Sequence, residues 1–367
     1  ATSTISSSHI GEIVCFGRAV PDNTDNPTSV QVHTTGAVRL AVTRAGRPDA
    51  PVVVLAHGFP ELAYTWRHQI PVLAAAGYQV LAPDQRGYGR SSCPADVAAY
   101  DIHALTGDLV ALLDSVGAER AVFVGHDWGA TVVWNVAQLH PDRVAAVAGL
   151  SVPPVPRPRT RPTEAFGKFG DDFYILRFQE PGVADAELGA DPRTTLRALL
   201  AGAPGAPLPD WLTDDDLDVY AAAFTRTGFT GGLNWYRNMD RNWATTEPTT
   251  IAVPALFIGG RADPVLGFTR TDRAREVVTG PYREEWLDGA GHWIPQDHAA
   301  DEEAYTLVLA NPPFAGSLDY ENTAKDLLSI VKTKKTELLF IGLILLFFVV
   351  IKWQLLPYPA YVPPWEN

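Results

Sequence analysis

The chain has 367 residues, of which 46% are hydrophobic and 10% aromatic, so it can bury a large core and is not disordered throughout. It carries 29 basic and 42 acidic side chains and a formal net charge of −13 at pH 7. Such an acidic surface repels phosphate backbones, so we do not expect nucleic acid as a partner. Cys15 and Cys93 form no disulfide framework and lie in no zinc-binding spacing. Together with the lack of a signal-peptide pattern in residues 1–28, this favours a cytoplasmic protein.

Residue usage divides the chain into a central body and two atypical ends. Residues 1–28 are rich in Ser, Thr and Asn, which is typical of a polar N-terminal arm. Lys168 is the one lysine before residue 325, whereas no arginine follows Arg283. A single folded domain has no physical reason to use almost only arginine in one part and only lysine in another. We therefore predict that residues 310–367 form a separate C-terminal tail.

Between these ends, short apolar runs alternate with segments of helical periodicity. An antiparallel hairpin is predicted over residues 31–45. Runs typical of buried parallel strands lie at 52–56, 79–82, 121–125, 143–150, 253–258 and 284–287, and helical segments lie near 61–76, 102–116 and 129–140. This alternation predicts an α/β fold with a mostly parallel sheet and helices on both faces.

The alternation stops between about residues 153 and 248 and then resumes. This interval has a helical texture and is too long for an ordinary loop. We expect a core formed by residues 29–152 and 249–309, and a helical lid formed by residues 153–248.

A Gly-His-Asp-Trp-Gly pentapeptide at 125–129 follows one of the predicted strands. Its spacing is that of a nucleophile elbow between a strand and a helix, with Asp127 at the centre. An ionised carboxylate needs no base to attack an electrophilic carbon, and water then cleaves the resulting ester with the help of a general base. The alternative is an aspartate that only caps the helix. The pentapeptide alone does not decide between the two.

Three other segments supply partners for Asp127. Asp263 follows the run at 253–258, and His292 follows the last run, which gives the chain order nucleophile, acid, base. The backbone N–H groups of Phe59 and Trp128 are expected to converge on one oxygen as an oxyanion hole. Three such residues at the carboxyl ends of predicted strands favour catalysis over the capping alternative.

The combined motifs resemble those of the α/β-hydrolase-fold epoxide hydrolases over about residues 30–309. They are His-Gly-Phe-Pro-Glu at 57–61, Asp-Gln-Arg-Gly-Tyr-Gly at 84–89, the pentapeptide at 125–129, Gly-His-Trp at 291–293, and two lid motifs at 178–182 and 234–239. The resemblance implies an enzyme that converts a small-molecule epoxide to a vicinal diol through an alkyl ester on Asp127, without a cofactor or a metal. It also implies that Tyr174 and Tyr236 donate hydrogen bonds to the epoxide oxygen.

Several neighbouring residues receive other roles. We expect Trp128, Trp235 and Trp293 to form walls of the substrate pocket. His57 and His126 lie in tight turns, where histidines usually satisfy local hydrogen bonds, and we expect them to be structural.

Two kinds of dehalogenase are the alternatives within the same fold. Haloalkane dehalogenases also have an aspartate nucleophile followed by Trp, but they need a halide-binding Trp or Asn where this chain has Phe59. Fluoroacetate-type dehalogenases are expected to carry Arg at the position of Trp128. Both differences favour the epoxide hydrolase.

A remote alternative comes from the tail. Asn-Pro-Pro-Phe at 311–314 matches the motif with which DNA adenine methyltransferases hold a flipped adenine. Residues 308–340 resemble a fragment of type I restriction–modification methyltransferases. These enzymes need a Gly-rich loop for the methyl donor upstream, where this chain has the hydrolase motifs. The net charge also opposes DNA binding, so we interpret the segment as an orphan fragment.

The tail also contains fourteen consecutive apolar residues at 338–351. A spanning helix needs about 20 residues. Three lysines precede the run, and aromatic residues follow it, as at a membrane interface. We favour a protein without an anchor, with membrane association through residues 338–356 as the alternative and any membrane contact confined to this tail.

Overall fold

A computed structural model of the chain describes residues 29–35 and 38–297. The predicted arm at 1–28, the tail at 310–367, the 311–314 motif and the apolar run at 338–351 lie outside these described residues. The described part contains an eight-stranded sheet with the order β1-β2-β4-β3-β5-β6-β7-β8. Its strands are β1 Ser29–Thr35, β2 Val38–Ala45, β3 Val52–Ala56, β4 Gln79–Asp84, β5 Ala121–His126, β6 Val144–Leu150, β7 Ala255–Gly260 and β8 Tyr282–Leu287.

The sheet is mostly parallel, which confirms the predicted fold class. Only β2 pairs in the antiparallel sense, with β1 on one side and β4 on the other. The pairs β3–β4, β3–β5, β5–β6, β6–β7 and β7–β8 are parallel. The carboxyl ends of β3, β5, β7 and β8 therefore meet at one edge, where the predicted catalytic residues follow them.

Among the strand boundaries that differ from the predicted ones, two have a physical reason in the sequence. The strand predicted at 253–258 begins at Ala255, because Pro254 has no N–H to donate to the ladder. The strand predicted at 284–287 begins earlier, at Tyr282. It is an edge strand, and its Arg283 and Glu284 are less buried than Tyr282. Because these charged residues interrupt the apolar pattern, the start of the strand is not recognised as part of an apolar run.

Helices cover both faces of the sheet. The chain connects the parallel strands through α1 Gln69–Ala75, α2 Ile102–Ser115 and α3 Trp128–Leu139. The helical segment predicted at 61–76 is split into a 3-10 turn, Ala63–Trp66, and α1. Strand β3 is buried on both faces, with Val52 and Val54 in the cluster under α2 and α3, and Val53 and Leu55 in the cluster under α1.

The chain between β6 and β7 is helical, as expected from its sequence. Its helices are α4 Pro162–Phe166, α5 Tyr174–Arg177, α6 Val183–Gly189, α7 Pro192–Leu200, α8 Asp214–Thr227, α9 Thr230–Arg237 and α10 Met239–Thr245; α11 Ile294–Asp297 follows β8. Tyr220 of α8 and Tyr236 of α9 share one apolar cluster with Phe59 and Tyr88, which follow strands β3 and β4. The insertion therefore packs over the carboxyl edge of the sheet.

Within the described residues, no helix combines the length and the hydrophobicity that a bilayer crossing needs.

Candidate active site

Asp127 occupies a strained position between β5 and α3. Its backbone has φ 52° and ψ −118°, a conformation that residues other than glycine rarely adopt. A Cβ on Gly129 would lie 2.1 Å from the carbonyl oxygen of Ala56, and one on Gly125 would lie 2.2 Å from that of Gly129. The two glycines therefore permit a turn so tight that its central carboxylate projects beyond the sheet.

The carboxylate of Asp127 has different partners on its two oxygens. Oδ1 accepts a hydrogen bond from the backbone N–H of Phe59 at 2.9 Å, and Oδ2 lies 3.5 Å from Nε2 of His292. Burial acts to raise the pKa of Asp127, but the hydrogen bond and positive charge of His292 outweigh it and hold that pKa below its usual range. The carboxylate is therefore ionised at neutral pH.

His292 is held between two carboxylates. Its Nδ1 lies 2.9 Å from Oδ2 of Asp263, and Oδ1 of Asp263 accepts the backbone N–H of Val265 at 2.8 Å. Burial acts to lower the pKa of His292, but the hydrogen bonds and charges of Asp127 and Asp263 raise it to about 10. The ring is therefore an imidazolium while Asp127 is ionised. The structure thus brings together Asp127, His292 and Asp263, the three residues predicted as a triad.

Tyr174 and Tyr236 line the same cavity as Asp127 and His292. Tyr174 opens α5, Tyr236 lies in α9, and their ring centroids are 6.2 Å apart. Burial and the negative charge of Asp127 raise the pKa of both phenols. Both therefore keep their hydrogens at neutral pH and remain able to donate hydrogen bonds.

The cavity has a volume of about 780 Å³, which is large enough for a bulky organic molecule. Among the described residues of its lining, Asp127 and His292 are the only ones that carry a charge at neutral pH. The rest of the wall is largely apolar. Besides Tyr174 and Tyr236, its aromatic members are Phe59, Phe173, Phe178, Trp211, Phe268 and Trp293. Such a lining favours a neutral, lipophilic ligand.

Of the three tryptophans predicted as pocket walls, the structure places one in the lining of the cavity. Trp293 lines the cavity, but Trp128 and Trp235 do not. Trp235 is 1% exposed and donates its indole N–H to the carbonyl oxygen of Arg86 at 3.1 Å. Trp128 packs edge-on against both Trp235 and Tyr236. Consecutive residues of a helix point about 100° apart, so Trp235 cannot share the cavity-facing direction of its neighbour Tyr236.

The two backbone donors predicted for an oxyanion hole lie on either side of Asp127. The N–H of Phe59 already binds Oδ1 of Asp127. Trp128 is the first residue of α3, where an N–H has no helical carbonyl partner. That the N–H groups of Phe59 and Trp128 together form an oxyanion hole stays a prediction.

The predicted structural histidines have buried partners. His57 contacts Gly58 and Gln85, and His126 contacts Glu61 and the main chain of His292. The contact of Glu61 with His126 was missed in the sequence, because it joins residues 65 positions apart. Glu61 ends the motif at 57–61 and His126 lies in the elbow, so these two motifs were the signals that could have indicated the contact. Among the described residues, no three His, Cys, Asp or Glu side chains form a group able to hold a metal ion.

Comparison with known proteins assigns the fold first. Residues 51–299 match the family described as alpha/beta hydrolase fold. The chain therefore belongs to the α/β-hydrolase-fold family, and its epoxide hydrolases are the group that it matches at high identity.

Individual relatives support the assignment to the epoxide hydrolases. The chain is 60% identical over 311 residues to Epoxide hydrolase A of Mycobacterium tuberculosis, covering 77% of this chain and 96% of that relative. It is 40% identical to Epoxide hydrolase 1 of Siraitia grosvenorii, covering 75% and 95% of the two chains. The crystal structure of Epoxide Hydrolase A from Mycobacterium thermoresistibile matches with a TM-score of 0.71 at 59% identity, covering 74% and 94%. The predicted activity is thus confirmed: this enzyme is an epoxide hydrolase, in preference to the dehalogenase and methyltransferase alternatives.

Proposed function

We propose that the enzyme opens its epoxide by nucleophilic attack of Asp127, with His292 as the base that later frees the product and Asp263 as the acid that orients His292. One observation carries the proposal. The Asp127 carboxylate faces the His292–Asp263 pair and two phenols across a single apolar cavity. A capping aspartate has no need of these partners.

In the first step Oδ2 of Asp127 attacks one epoxide carbon, and the bond from that carbon to the epoxide oxygen breaks. Tyr174 and Tyr236 donate hydrogen bonds to the oxygen as it gains negative charge. An alkoxide in an apolar cavity requires such donors. His292 is an imidazolium in the resting enzyme and gives its proton to the alkoxide, so the protons in this step balance.

The second step is ester hydrolysis. Esterification removes the charge of Asp127 that raised the pKa of His292, so the neutral ring becomes available as a base. Water gives a proton to Nε2 of His292 and adds to the carboxyl carbon of Asp127. The ester bond then breaks, and the leaving oxygen takes the second proton of the added water, which releases the vicinal diol. Asp127 returns as a carboxylate and His292 as an imidazolium, so the cycle is balanced.

The backbone donors act during hydrolysis. Addition of water places negative charge on Oδ1 of Asp127, which the N–H of Phe59 contacts in the resting state. We propose that the N–H of Trp128 is the second donor to this oxygen. Positioned backbone donors are effective because they need no reorganisation as the charge develops.

We propose a neutral, lipophilic epoxide as the substrate. Styrene oxide should yield its vicinal diol, whereas 2-phenylethyl bromide, a haloalkane of similar shape, should release no bromide, because phenols suit an oxygen leaving group. Bromide is measured by ion chromatography, and the diol is measured by liquid or gas chromatography. Bromide release at a rate comparable to diol formation would overturn the assigned role of the tyrosines.

We propose further that residues 29–152 and 249–309 form the catalytic core, that 153–248 form its lid, and that the tail at 310–367 contributes nothing to catalysis. Every residue given a chemical role lies between Phe59 and His292. Any membrane contact would then come from the tail alone, and the catalytic unit would act in the cytoplasm. An enzyme ending at Ala310 should hydrate styrene oxide at the rate of the full chain. A large loss of rate with the fold retained would mean that the tail takes part in catalysis.

A further inference from the structure

The two lid motifs recognised in the sequence, 178–182 and 234–239, contact each other beside the cavity. Gln179 belongs to the first motif and Arg237 to the second. Neither residue lines the cavity, so neither takes part in the steps of the proposed reaction. Their side chains instead join the chain that follows one cavity tyrosine to the helix that contains the other.

The amide of Gln179 bridges the two helices that carry the tyrosines. Its Nε2 donates to the carbonyl oxygen of Ile175 in α5 at 2.8 Å and to that of Tyr236 in α9 at 3.2 Å. An amide nitrogen has two hydrogens, one for each of these acceptors. Ile175 directly follows Tyr174 in the chain. The amide therefore ties the main chain beside one phenol to the main chain of the other.

Arg237 makes the reciprocal tie from α9. Its Nε donates to the carbonyl oxygen of Phe178 at 3.0 Å, and its side chain is only 3% exposed and pairs with Asp185. Burial acts to raise the pKa of Asp185, but hydrogen bonds from Arg237 and Thr230 lower it to about 2. Both charges of the pair therefore persist at neutral pH, and the ion pair holds the guanidinium against the Phe178 carbonyl.

The ring of Phe178 packs against both phenols. Its centroid lies 5.5 Å from that of Tyr174 and 5.1 Å from that of Tyr236, and each pair meets edge-on. The two phenol rings are themselves 6.2 Å apart. Phe178 is therefore a spacer between the phenols, and Arg237 fixes it through its carbonyl group.

The two tyrosine helices differ in how the rest of the protein holds them. Helix α9 is anchored to the core, because the indole of Trp235 and the amide of Asn238 donate to main-chain carbonyl groups that follow β4 and precede α2. Helix α5 has only four residues, and so short a helix is not stable by itself. We therefore expect the position of Tyr174, which opens α5, to depend on the ties to α9.

We propose that Gln179 is a positioning residue for ring opening, which holds the phenol of Tyr174 beside the better anchored phenol of Tyr236 so that both donate to one epoxide oxygen. The inference rests on the proposed function, in which both phenols bind that oxygen. Misplacement of a reacting group by 1 Å can cost about 10²-fold in rate. The rings of Phe173 and Phe268 also contact Tyr174, but apolar contacts have no direction and fix its position less closely.

The test is Gln179→Met, which keeps the length of the side chain and removes both hydrogens of the amide. With enzyme in excess of styrene oxide, quenched flow and intact mass spectrometry follow formation and decay of the Asp127 adduct. Formation should slow by about 10-fold to 10²-fold. Decay should keep the wild-type rate, because ester hydrolysis uses His292 and not the phenols. The matched control is Gln138→Met in α3, whose amide donates to the carbonyl oxygen of Thr249 at 3.0 Å, and both of its rates should equal those of the wild type.

A double-mutant cycle shows on which phenol Gln179 acts. In a Tyr236→Phe background, Gln179→Met should slow adduct formation by the same factor as in the wild type. In a Tyr174→Phe background, it should cause almost no further loss, because the phenol that it positions is gone. A general disturbance of the lid would slow the reaction in both backgrounds.

Equal slowing of adduct formation in all three backgrounds, or equal slowing of formation and decay, would overturn the inference and leave Gln179 with a purely structural role. A Tyr174→Phe enzyme that forms the adduct at the wild-type rate would instead overturn the proposed role of that phenol. Arg237→Lys covers the case in which Gln179→Met does not fold. Lysine keeps the charge beside Asp185 but cannot also bind the carbonyl of Phe178 as the guanidinium fork does. This variant should show the same difference between the backgrounds, and equal losses in all of them would count against the inference.

Discussion

His292→Gln enzyme should accumulate a covalent ester with its substrate, because the variant retains the nucleophile and lacks the base that activates water. Its turnover should fall by about 10²–10⁴-fold, the usual contribution of a general base. Intact mass spectrometry should show one adduct per chain with the mass of the added epoxide, and peptide mapping should locate it on Asp127. Glutamine still offers an amide donor where Nε2 of His292 lies 3.5 Å from Oδ2 of Asp127, so alkylation should persist.

The matched variant is Asp127→Asn. Asparagine keeps an oxygen that can accept the N–H of Phe59 and preserves the shape of the elbow, but it is not a nucleophile. This variant should form neither adduct nor diol. An unmodified His292→Gln enzyme with an intact fold, or an adduct in the Asp127→Asn enzyme, would contradict the assignment of the nucleophile.

Tyr174→Phe/Tyr236→Phe enzyme should scarcely react with epoxides. Each single change removes one donor from an apolar cavity and should slow alkylation by about 10²–10³-fold, the effect of deleting one donor to a developing oxyanion. In the double variant the alkoxide has neither of the two proposed donors, so the adduct should form extremely slowly. Stopped-flow fluorescence is suited to this measurement, because Trp128 packs against Tyr236 with ring centroids 5.0 Å apart.

Tyr88→Phe is the control for this loss. Tyr88 is buried near the site, but it does not line the cavity, and within the described residues its hydroxyl has no hydrogen-bond partner. Its removal should leave the rate of alkylation near that of the wild type. If Tyr88→Phe and the double variant slow alkylation to the same extent, the two cavity tyrosines act by packing and not as donors.

The sequence was sufficient for the fold and for the residues around Asp127 because these signals are local. Strand β3 is a continuous apolar run, and its predicted bounds agree with the structure. The elbow, Asp263 and His292 each follow a strand, and parallel strands bring their carboxyl ends to one edge. Pattern and topology together therefore predicted which side chains meet.

The shape of the cavity depended on information that no local pattern contains. Phe173 precedes α5 and Phe268 follows β7, yet their ring centroids are 5.4 Å apart at the cavity wall. Trp235 was wrongly assigned to that wall because a motif identifies a helix without giving its rotation. Contacts between distant segments decide both features.

The covalent role of Asp127 is tested most directly by one turnover in ¹⁸O-labelled water with enzyme in excess of epoxide. If Oδ2 of Asp127 attacks the epoxide and water then attacks the carboxyl carbon, both oxygens of the first diol come from the epoxide and the enzyme. The diol should therefore contain no ¹⁸O, and mass spectrometry should find the label in the peptide that contains Asp127. Label in the diol after that single turnover, with none in the peptide, would mean that water attacks the epoxide directly and would contradict the mechanism.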